Sequence, residues 1–405
     1  MTQFNPSQAV TAAVPDPRRR ARSYPDAGEV ARLLQPSYPV YCLRPHVFER
    51  AARGFVAGFP GTTLYAVKCN PHPAVLRALH AGGVHAFDTA SLSEIARVAE
   101  TFDAAECFFM HPVKPRPAIA SAHRVYGVQH YVVDHMAELH KLAQQLRDDP
   151  QVTVMVRLKT AESAGAFYHL SAKFGADAEE AAPILAEVAR LGMKPGLAFH
   201  VGSQCLEPAA FTQAIAQAGQ VAAQAGVELA ALDVGGGFPA IYLGTQAPDL
   251  NAYMTAIRDA IARLSLPAGC RVLCEPGRAL VADGQSLLVQ VQLRKGNQLY
   301  INDGVYGSLS EMTAADVRYP ARLIRLEGGR IATPTAPEET FDAHGPTCDS
   351  LDMIPKAFRL PGDVREGDWI EIDRVGAYSN ALGTDFNGFR PDTFVEVRNE
   401  PPGGL

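Results

Sequence analysis

A lysine, two acids, two arginines and a histidine recur at one kind of place in this sequence, just past a short apolar segment. "TLYAVK" ends in Lys68, "VHAFD" in Asp88 and "VTVMVR" in Arg157. "GLAFH" ends in His200 with Ser203 close behind, Gly235-Gly236-Gly237 follow "LAALDV", and Glu275 and Arg278 stand in "CEPGR". A lysine held in a partly dry pocket has a lowered pKa and can attack a carbonyl as the neutral amine. Consecutive glycines let backbone N–H groups come close to a phosphate, and Arg278 adds a planar cation. Glu275 can pair with a protonated ring nitrogen. Together these are the parts of a pyridoxal 5'-phosphate site. Singly, each residue has a plainer reading: a solvated strand-end lysine, a flexible glycine turn, a core histidine, an arginine capping a turn. The "GGGF" run is also not the G-x-G-x-x-G dinucleotide fingerprint. The coincidence at one face favours the chemistry, because ligands bind at the carboxyl ends of strands in parallel α/β proteins.

The elements that would position these residues alternate from Leu64 to Asp283. The strand-like segments are "TLYAVK", "VHAFD", "CFFMHP", "HYVVD", "VTVMVRL", "GLAFHVG", "LAALDVGGG" and "RVLCEPG". Helical runs such as "SLSEIARVAETF", "AEEAAPILAEVARL" and "LNAYMTAIRDAIARL" lie between them, with apolar residues three and four apart. Eight such units predict an α/β fold, a (β/α)8 barrel, although a doubly wound open sheet has the same local pattern. After Gly284 the segments "QSLLVQVQLRKG", "QLYINDG", "PARLIRLEG", "DWIEIDRVGAY" and "TFVEVRN" predict an antiparallel β domain. "ATPTAPEETFDAHGPTCDSLD" reads as a long Pro-rich loop of the kind that is often functional. The expected division is an N-terminal arm at 1–37 packing with the β domain, the barrel at 38–284 and a C-terminal β domain at 285–405.

Composition bounds the rest. The chain has 405 residues, long enough for about two domains. A net charge of −6 gives no basic footprint for nucleic acid. No apolar run approaches membrane-span length, and the arginine-rich start, "PDPRRRARSYPD", lacks the apolar core of a secretory signal. Seven scattered cysteines fit neither a disulfide framework nor a zinc site, which is the pattern of a reducing cytoplasm.

A longer series of motifs, "YAVKCNP", "HAFDTAS", "FHVGSQ", "LDVGGGFP", "CEPGRALVA", "YINDGVYGS", "GPTCDSLD" and "GAYSNALGTDFNGF", spans Tyr41 to Phe389. In kind and order it resembles the alanine-racemase-fold, pyridoxal-phosphate-dependent amino acid decarboxylases, the ornithine decarboxylase branch in particular. The resemblance implies a (β/α)8 barrel with a β-sandwich domain, and a homodimer with shared active sites. It implies that Lys68 carries the cofactor as a Schiff base, with Asp88 and Arg157 supporting it. His200 would stack on the cofactor ring and Glu275 would hold its nitrogen. Ser203, Gly236, Gly237, Arg278 and Tyr378 would hold the phosphate. Cys348, reaching in from the neighbouring subunit, would protonate the carbanion, and Asp349 beside it would bind the distal ammonium of the substrate. Lys173 and Asp352 match positions that pair across the dimer in that family. Glu275 stands where the racemases of this fold have an arginine, which favours decarboxylation over racemisation.

The substrate implied is a basic L-amino acid, ornithine first, with putrescine and CO2 as products. Lysine, arginine or diaminopimelate are the enzymatic alternatives. The tract "SLSEMTAADVRYP" departs from the branch pattern where an aspartate contacts the distal amine, leaving Glu311, Asp316 or neither for that role. A non-catalytic regulatory homologue, like the antizyme inhibitors, is a third reading. The joint presence of Lys68, Glu275, Arg278, Cys348 and Asp349 weighs against it. A cofactor-free Schiff-base aldolase would need neither the glycine run with Arg278 nor Glu275.

Overall fold

The computed structural model describes residues 23–146, 149–160 and 173–401. Most of the arginine-rich N-terminal stretch therefore lies outside the described residues. Strands are numbered β1 to β18 along the chain.

Eight short strands are parallel and close on themselves in the order β10-β3-β4-β5-β6-β7-β8-β9. They are β3 (Thr62–Ala66), β4 (Ala86–Thr89), β5 (Glu106–Phe109), β6 (His130–Val133), β7 (Thr153–Leu158), β8 (Lys194–Phe199), β9 (Ala231–Asp233) and β10 (Arg271–Cys274). The closing pair sets Leu273 and Cys274 against Thr62 and Thr63. Closure excludes the open doubly wound sheet. Each strand is covered by helices outside and packed side chains within, so it reads as a continuous apolar run rather than an alternation. Leu64, Phe108, Val132, Met155 and Leu273 fill the interior as a packed core rather than a pore. A Cβ on Gly196 would stand 2.7 Å from Met155 Cγ, so glycine makes room for that interior side chain. At the amino-terminal face, Arg271 reaches Glu106 at 2.7 and 2.8 Å and His130 reaches it at 2.7 Å. A cluster at that end of the barrel serves stability rather than catalysis.

The second domain is a mixed β structure rather than a purely antiparallel one. Its main path runs β1-β18-β2-β11-β12-β15-β16, formed by β1 (Ser23–Tyr24), β18 (Thr393–Val397), β2 (Val40–Leu43), β11 (Gln285–Lys295), β12 (Gln298–Ile301), β15 (Glu338–His344) and β16 (Met353–Pro361). β17 (Trp369–Ile372) pairs with β11 and with β13 (Ala321–Glu327), which pairs with β14 (Arg330–Ala332). β1–β18, β18–β2 and β12–β15 are parallel. β11 serves two layers: residues 285–290 pair with β2 and β17, and after a register shift between Val291 and Leu293 the strand runs with β12. The helix Ala27–Leu34 packs its Ala27, Val30 and Ala31 against Leu288, Trp369 and Val395.

Two further sequence expectations change here. β2, assigned to the barrel by a boundary at 38, belongs to the sheet of the second domain, because its ladder partners are β11 and β18. The expected structureless loop at 332–352 contains β15. Only Phe341 and Ala343 of that strand turn fully inward, too few to show as alternation among the flanking prolines and acids.

Arg44 locks the junction. It is fully buried and donates to Glu371 at 2.9 Å and to Ser286 at 3.1 Å. Arg44→Met is expected to cost about 3–5 kcal/mol in denaturant unfolding, because it strands a buried carboxylate. A loss under about 1 kcal/mol would mean that Arg322, 2.7 Å from Glu371, satisfies the acid alone.

Candidate active site

β3 ends at Ala66, and Lys68 stands in the single 3-10 turn Val67–Cys69 that follows. The turn is tied from several sides. Ala66 N–H donates to Pro276 O at 3.1 Å and Tyr378 N–H donates to Cys69 O at 2.9 Å. Buried Asn70 donates from its amide to Gly376 O at 2.8 Å and to Gln285 Oε1 at 3.0 Å, and Tyr65 O–H donates to Asn70 O at 3.1 Å. The lysine is thus fixed jointly by the barrel and the second domain. Asn70 and Gln285 were not singled out from the sequence. An asparagine before proline marks a turn there, but its partners lie more than two hundred residues away.

Lys68 Nζ donates to Asp88 at 2.5 Å, and 43 % of its side-chain surface stays open to the cavity. The turn that follows Asp88 is closed by side chains of the next helix. Glu94 N–H donates to Ser91 Oγ at 3.2 Å, and the Glu94 carboxylate accepts from Ala90 N–H at 2.6 Å. This is a capping-box arrangement that "SLSE" spells out in the sequence. The expected lowering of the Lys68 pKa is not found. Burial does penalise the ammonium, but Asp88 and then Glu275 outweigh it and hold the pKa above the ordinary lysine range. The acids shift upward as well, which for them favours the neutral form. Burial, then Asp88 and Asp233, raises Glu275 well above the usual carboxylate range. Burial first, opposed by Gly235 N–H, brings Asp233 up to about 7. Asp233 accepts from Gly235 N–H at 2.8 Å and has the Glu275 carboxyl group within hydrogen-bond reach. His200 accepts from Gly202 N–H at Nδ1, at 3.0 Å, and burial, then Arg157 and Lys68, holds its pKa well down, so the ring is neutral.

A cavity of about 300 Å³ is bounded by Lys68, Asp88, Arg157, His200, Ser203, Glu275, Glu311 and Tyr378. The predicted strand-end residues therefore do meet. His111 and Phe174 complete one wall, with the Arg157 guanidinium 5.6 Å from the Phe174 ring. Neither residue carried a signal in the sequence.

At the glycine end, Gly235 and Gly237 have φ of 69° and 108°, a region that disfavours side chains. A Cβ would stand 2.4 Å from Gly202 O at Gly237, and 2.5 Å from Glu275 O at Gly236. Arg278 is buried beside this cradle with an Nε–H that has no partner, and its Nη2 is 3.3 Å from Ser203 Oγ. An anion-accepting backbone nest, a hydroxyl and an unspent guanidinium donor are what a phosphate monoester requires. Lys68 for a carbonyl carbon, and Glu275 for a cationic ring nitrogen, complete the donor set for pyridoxal 5'-phosphate.

The remaining predicted residues come from the second domain. Tyr378 holds its ring 5.0 Å from the Arg278 guanidinium. Glu311 lines the cavity, but both its oxygens are taken by Arg278, at 2.6 and 2.8 Å. Asp316 is 84 % exposed and pairs with Arg318 at 2.6 Å, outside the cavity lining. Cys348 is exposed, with its N–H on Asn387 Oδ1 at 3.1 Å. Asp349 accepts from Tyr306 O–H, which lowers its pKa, as does Leu351 N–H. Neither Cys348 nor Asp349 lines the cavity of its own chain. Asp352 accepts from Val305 N–H, Thr347 N–H and Thr347 O–H, and so ties its own loop to the turn after β12. Lys173 lies 5.0 Å from the Phe174 ring. Among the described residues, no group of three His, Cys, Asp or Glu is arranged to hold a metal, and no helix is long and apolar enough to cross a membrane.

A barrel whose carboxyl face joins a lysine amine, a buried glutamate and a glycine cradle beside an arginine has the donors that pyridoxal phosphate requires. Comparison with known proteins narrows the class. Residues 46–282 match the family described as "Pyridoxal-dependent decarboxylase, pyridoxal binding domain". Ornithine decarboxylase of Panagrellus redivivus is 33% identical, over 84% of this chain and 81% of that protein. Antizyme inhibitor 2 of Xenopus laevis is 32% identical, over 80% and 73%. The crystal structure of lysine/ornithine decarboxylase from Vibrio vulnificus, complexed with putrescine, superposes with a TM-score of 0.77 at 32% identity, covering 92% of this chain and 99% of that one. The chain belongs to the pyridoxal-dependent decarboxylases. It is a pyridoxal-5'-phosphate-dependent carboxy-lyase of the group that acts on basic amino acids.

Proposed function

We propose that this enzyme converts L-ornithine to putrescine and CO2, in polyamine biosynthesis, as a cytoplasmic homodimer with shared active sites. The observation that carries the reading is the meeting of Lys68, Asp88, Arg157, His200, Ser203 and Glu275 in one cavity, with Gly236 packed behind His200 and Glu275, and with Arg278 bonded to the wall residues Ser203 and Glu311. When bound, pyridoxal phosphate supplies an electron sink for the pair left behind by departing CO2. This chain's residues supply the rest. Lys68 would carry the cofactor through its amine. Glu275 would hold the ring nitrogen and keep a proton on it, which would make the sink strong. Asp88 and Arg157 would fix the charges around the lysine, and neutral His200 would lie against the ring without adding a proton to it. Ser203, Gly236, Gly237, Arg278 and Tyr378 would hold the phosphate.

Proton return and recognition of the distal ammonium fall to Cys348 and Asp349 of a second copy. Support comes from their setting. Cys348 is exposed beside Leu351, Met353 and Phe386, which are 73%, 46% and 41% exposed. Apolar surface of that kind is characteristic of an interface. Asp349, held ionised, is a suitable partner for an ammonium group. None of the seven cysteines is in a disulfide, in keeping with a reducing compartment.

The substrate is tested by incubating the loaded enzyme separately with L-ornithine, L-lysine, L-arginine and meso-diaminopimelate, measuring CO2 and the amine formed. Putrescine as the main product supports the proposal. Cadaverine as the main product would move it to lysine, the second reading favoured by the resemblance to a lysine/ornithine decarboxylase. CO2 from none of the four would favour a regulatory role such as the antizyme inhibitor relative has. The shared site is tested by mixing. Lys68→Ala and Cys348→Ala proteins, each nearly inactive alone, are expected to recover about a quarter of wild-type activity together, since random pairing yields half heterodimers with one intact site each. No recovery despite demonstrated subunit exchange would refute sharing.

A further inference from the structure

Arg278 is the strongest cation at the phosphate cup, yet its charge is already balanced. Its Nη1 and Nη2 grip the two oxygens of Glu311 at 2.8 and 2.6 Å, and both side chains are buried, at 3% and 2% exposure. Tyr242 O–H takes the other Nη1 proton at 2.9 Å. A guanidinium offers two bidentate edges. Glu311 occupies the Nη1–Nη2 edge, leaving the Nε–Nη2 edge, on which Ser203 lies and whose Nε–H is buried without a partner.

We propose that Glu311 is the resident counter-anion of Arg278, orienting its open edge toward the cup and setting, by its charge, how tightly the cup holds the cofactor's phosphate. This rests on the reading of the cup as a phosphate site. A buried cation needs a partner in the empty protein, and Glu311 supplies it. The same carboxylate stands across one guanidinium from the incoming phosphate, where little water separates like charges. Affinity is thereby exchanged for a cup that stays formed when empty. Glu311 comes from the second domain, on the turn Glu311–Ala314, so the charge of a barrel-borne anion site is governed from outside the barrel. Held in this pair, Glu311 is a positioning residue for the phosphate and not the acceptor of the substrate's distal ammonium.

The test is equilibrium binding of pyridoxal phosphate, and separately of inorganic phosphate, to cofactor-free wild-type, Glu311→Gln and Glu311→Asp proteins. Glu311→Gln is expected to bind both at least about tenfold more tightly. Glu311→Asp, which keeps the charge, is expected to stay within about threefold of wild type. Melting temperature gives a second readout. Glu311→Gln should melt lower than wild type when empty and rise more steeply with added phosphate; a variant that folds only in phosphate would report the same exchange of counter-anions. Unchanged or weaker phosphate binding in Glu311→Gln overturns the proposal. If a higher KM for the diamino acid accompanies that result, Glu311 belongs to the substrate. Wild-type protein that binds inorganic phosphate but never pyridoxal phosphate would defeat the cofactor roles assigned above while leaving the phosphate comparison valid.

Discussion

Lys68→Ala is expected to abolish stable attachment of pyridoxal phosphate and to lower kcat by on the order of 10³-fold. The visible absorbance of the bound cofactor should be lost on desalting, while folding is retained, because the turn around residue 68 is held by backbone atoms and Asn70 rather than by the lysine side chain. The ammonium of Lys68 is the nearest cation to Asp88, so its removal also leaves an acid cluster short of positive charge. Added methylamine or ethylamine should restore part of the rate if the missing group acts as an amine. A variant that keeps its cofactor absorbance through desalting and loses less than about tenfold in kcat would refute the role.

Glu275→Gln is expected to lower kcat by about 10²–10³-fold with little change in KM, the mark of an interaction that matters most in the transition state. Glutamine preserves the shape and can still hydrogen-bond, but it cannot keep a ring nitrogen cationic. The surrounding chemistry supports so large an effect. Burial and the carboxylates of Asp88 and Asp233 push the Glu275 pKa far up, so an ionised Glu275 is costly unless a positive charge meets it. A cationic ring nitrogen would be that charge, and the two would stabilise each other. Kinetics with saturating cofactor and the spectrum of bound cofactor decide the matter. Unaltered kcat would mean that ring protonation is set elsewhere.

The barrel was legible because each strand is buried on both faces and bounded by turn residues, which makes eight apolar segments stand out. The strand-end placement of Lys68, Asp88, Arg157, His200, Ser203 and Glu275 then followed from the geometry of any such barrel. What could not be read is what depends on non-local pairing. β2 lies next to the barrel in sequence but is held by strands some 240 and 350 residues on, and β15 carries too few inward apolar side chains to announce itself. The Arg278–Glu311 pair joins two domains, and both residues attracted roles singly, one for phosphate and one for substrate, with nothing in the spacing to show that they spend their charges on each other. The raised pKa of Lys68 escaped for the same reason: burial alone predicts a fall, and the sign depends on how many acids gather around it. Cys348 and Asp349 were legible only through resemblance, since neither lines the cavity of its own chain.

The clamp around Asn70 bears on how this protein can be taken apart. The match to the pyridoxal-binding family ends at residue 282, three positions short of Gln285 and far short of Gly376, the two groups that the Asn70 side chain grips. A barrel cut out at that boundary would keep its eight strands, with the ties from Pro276 and Tyr65, and lose those that Gln285, Gly376 and Tyr378 give the lysine's turn. The unit that this one family match delineates is therefore smaller than the unit that positions the lysine. For anyone grafting this site onto another scaffold or splitting the gene for a fusion, the second domain travels with the barrel as part of the machinery and not as an appendage.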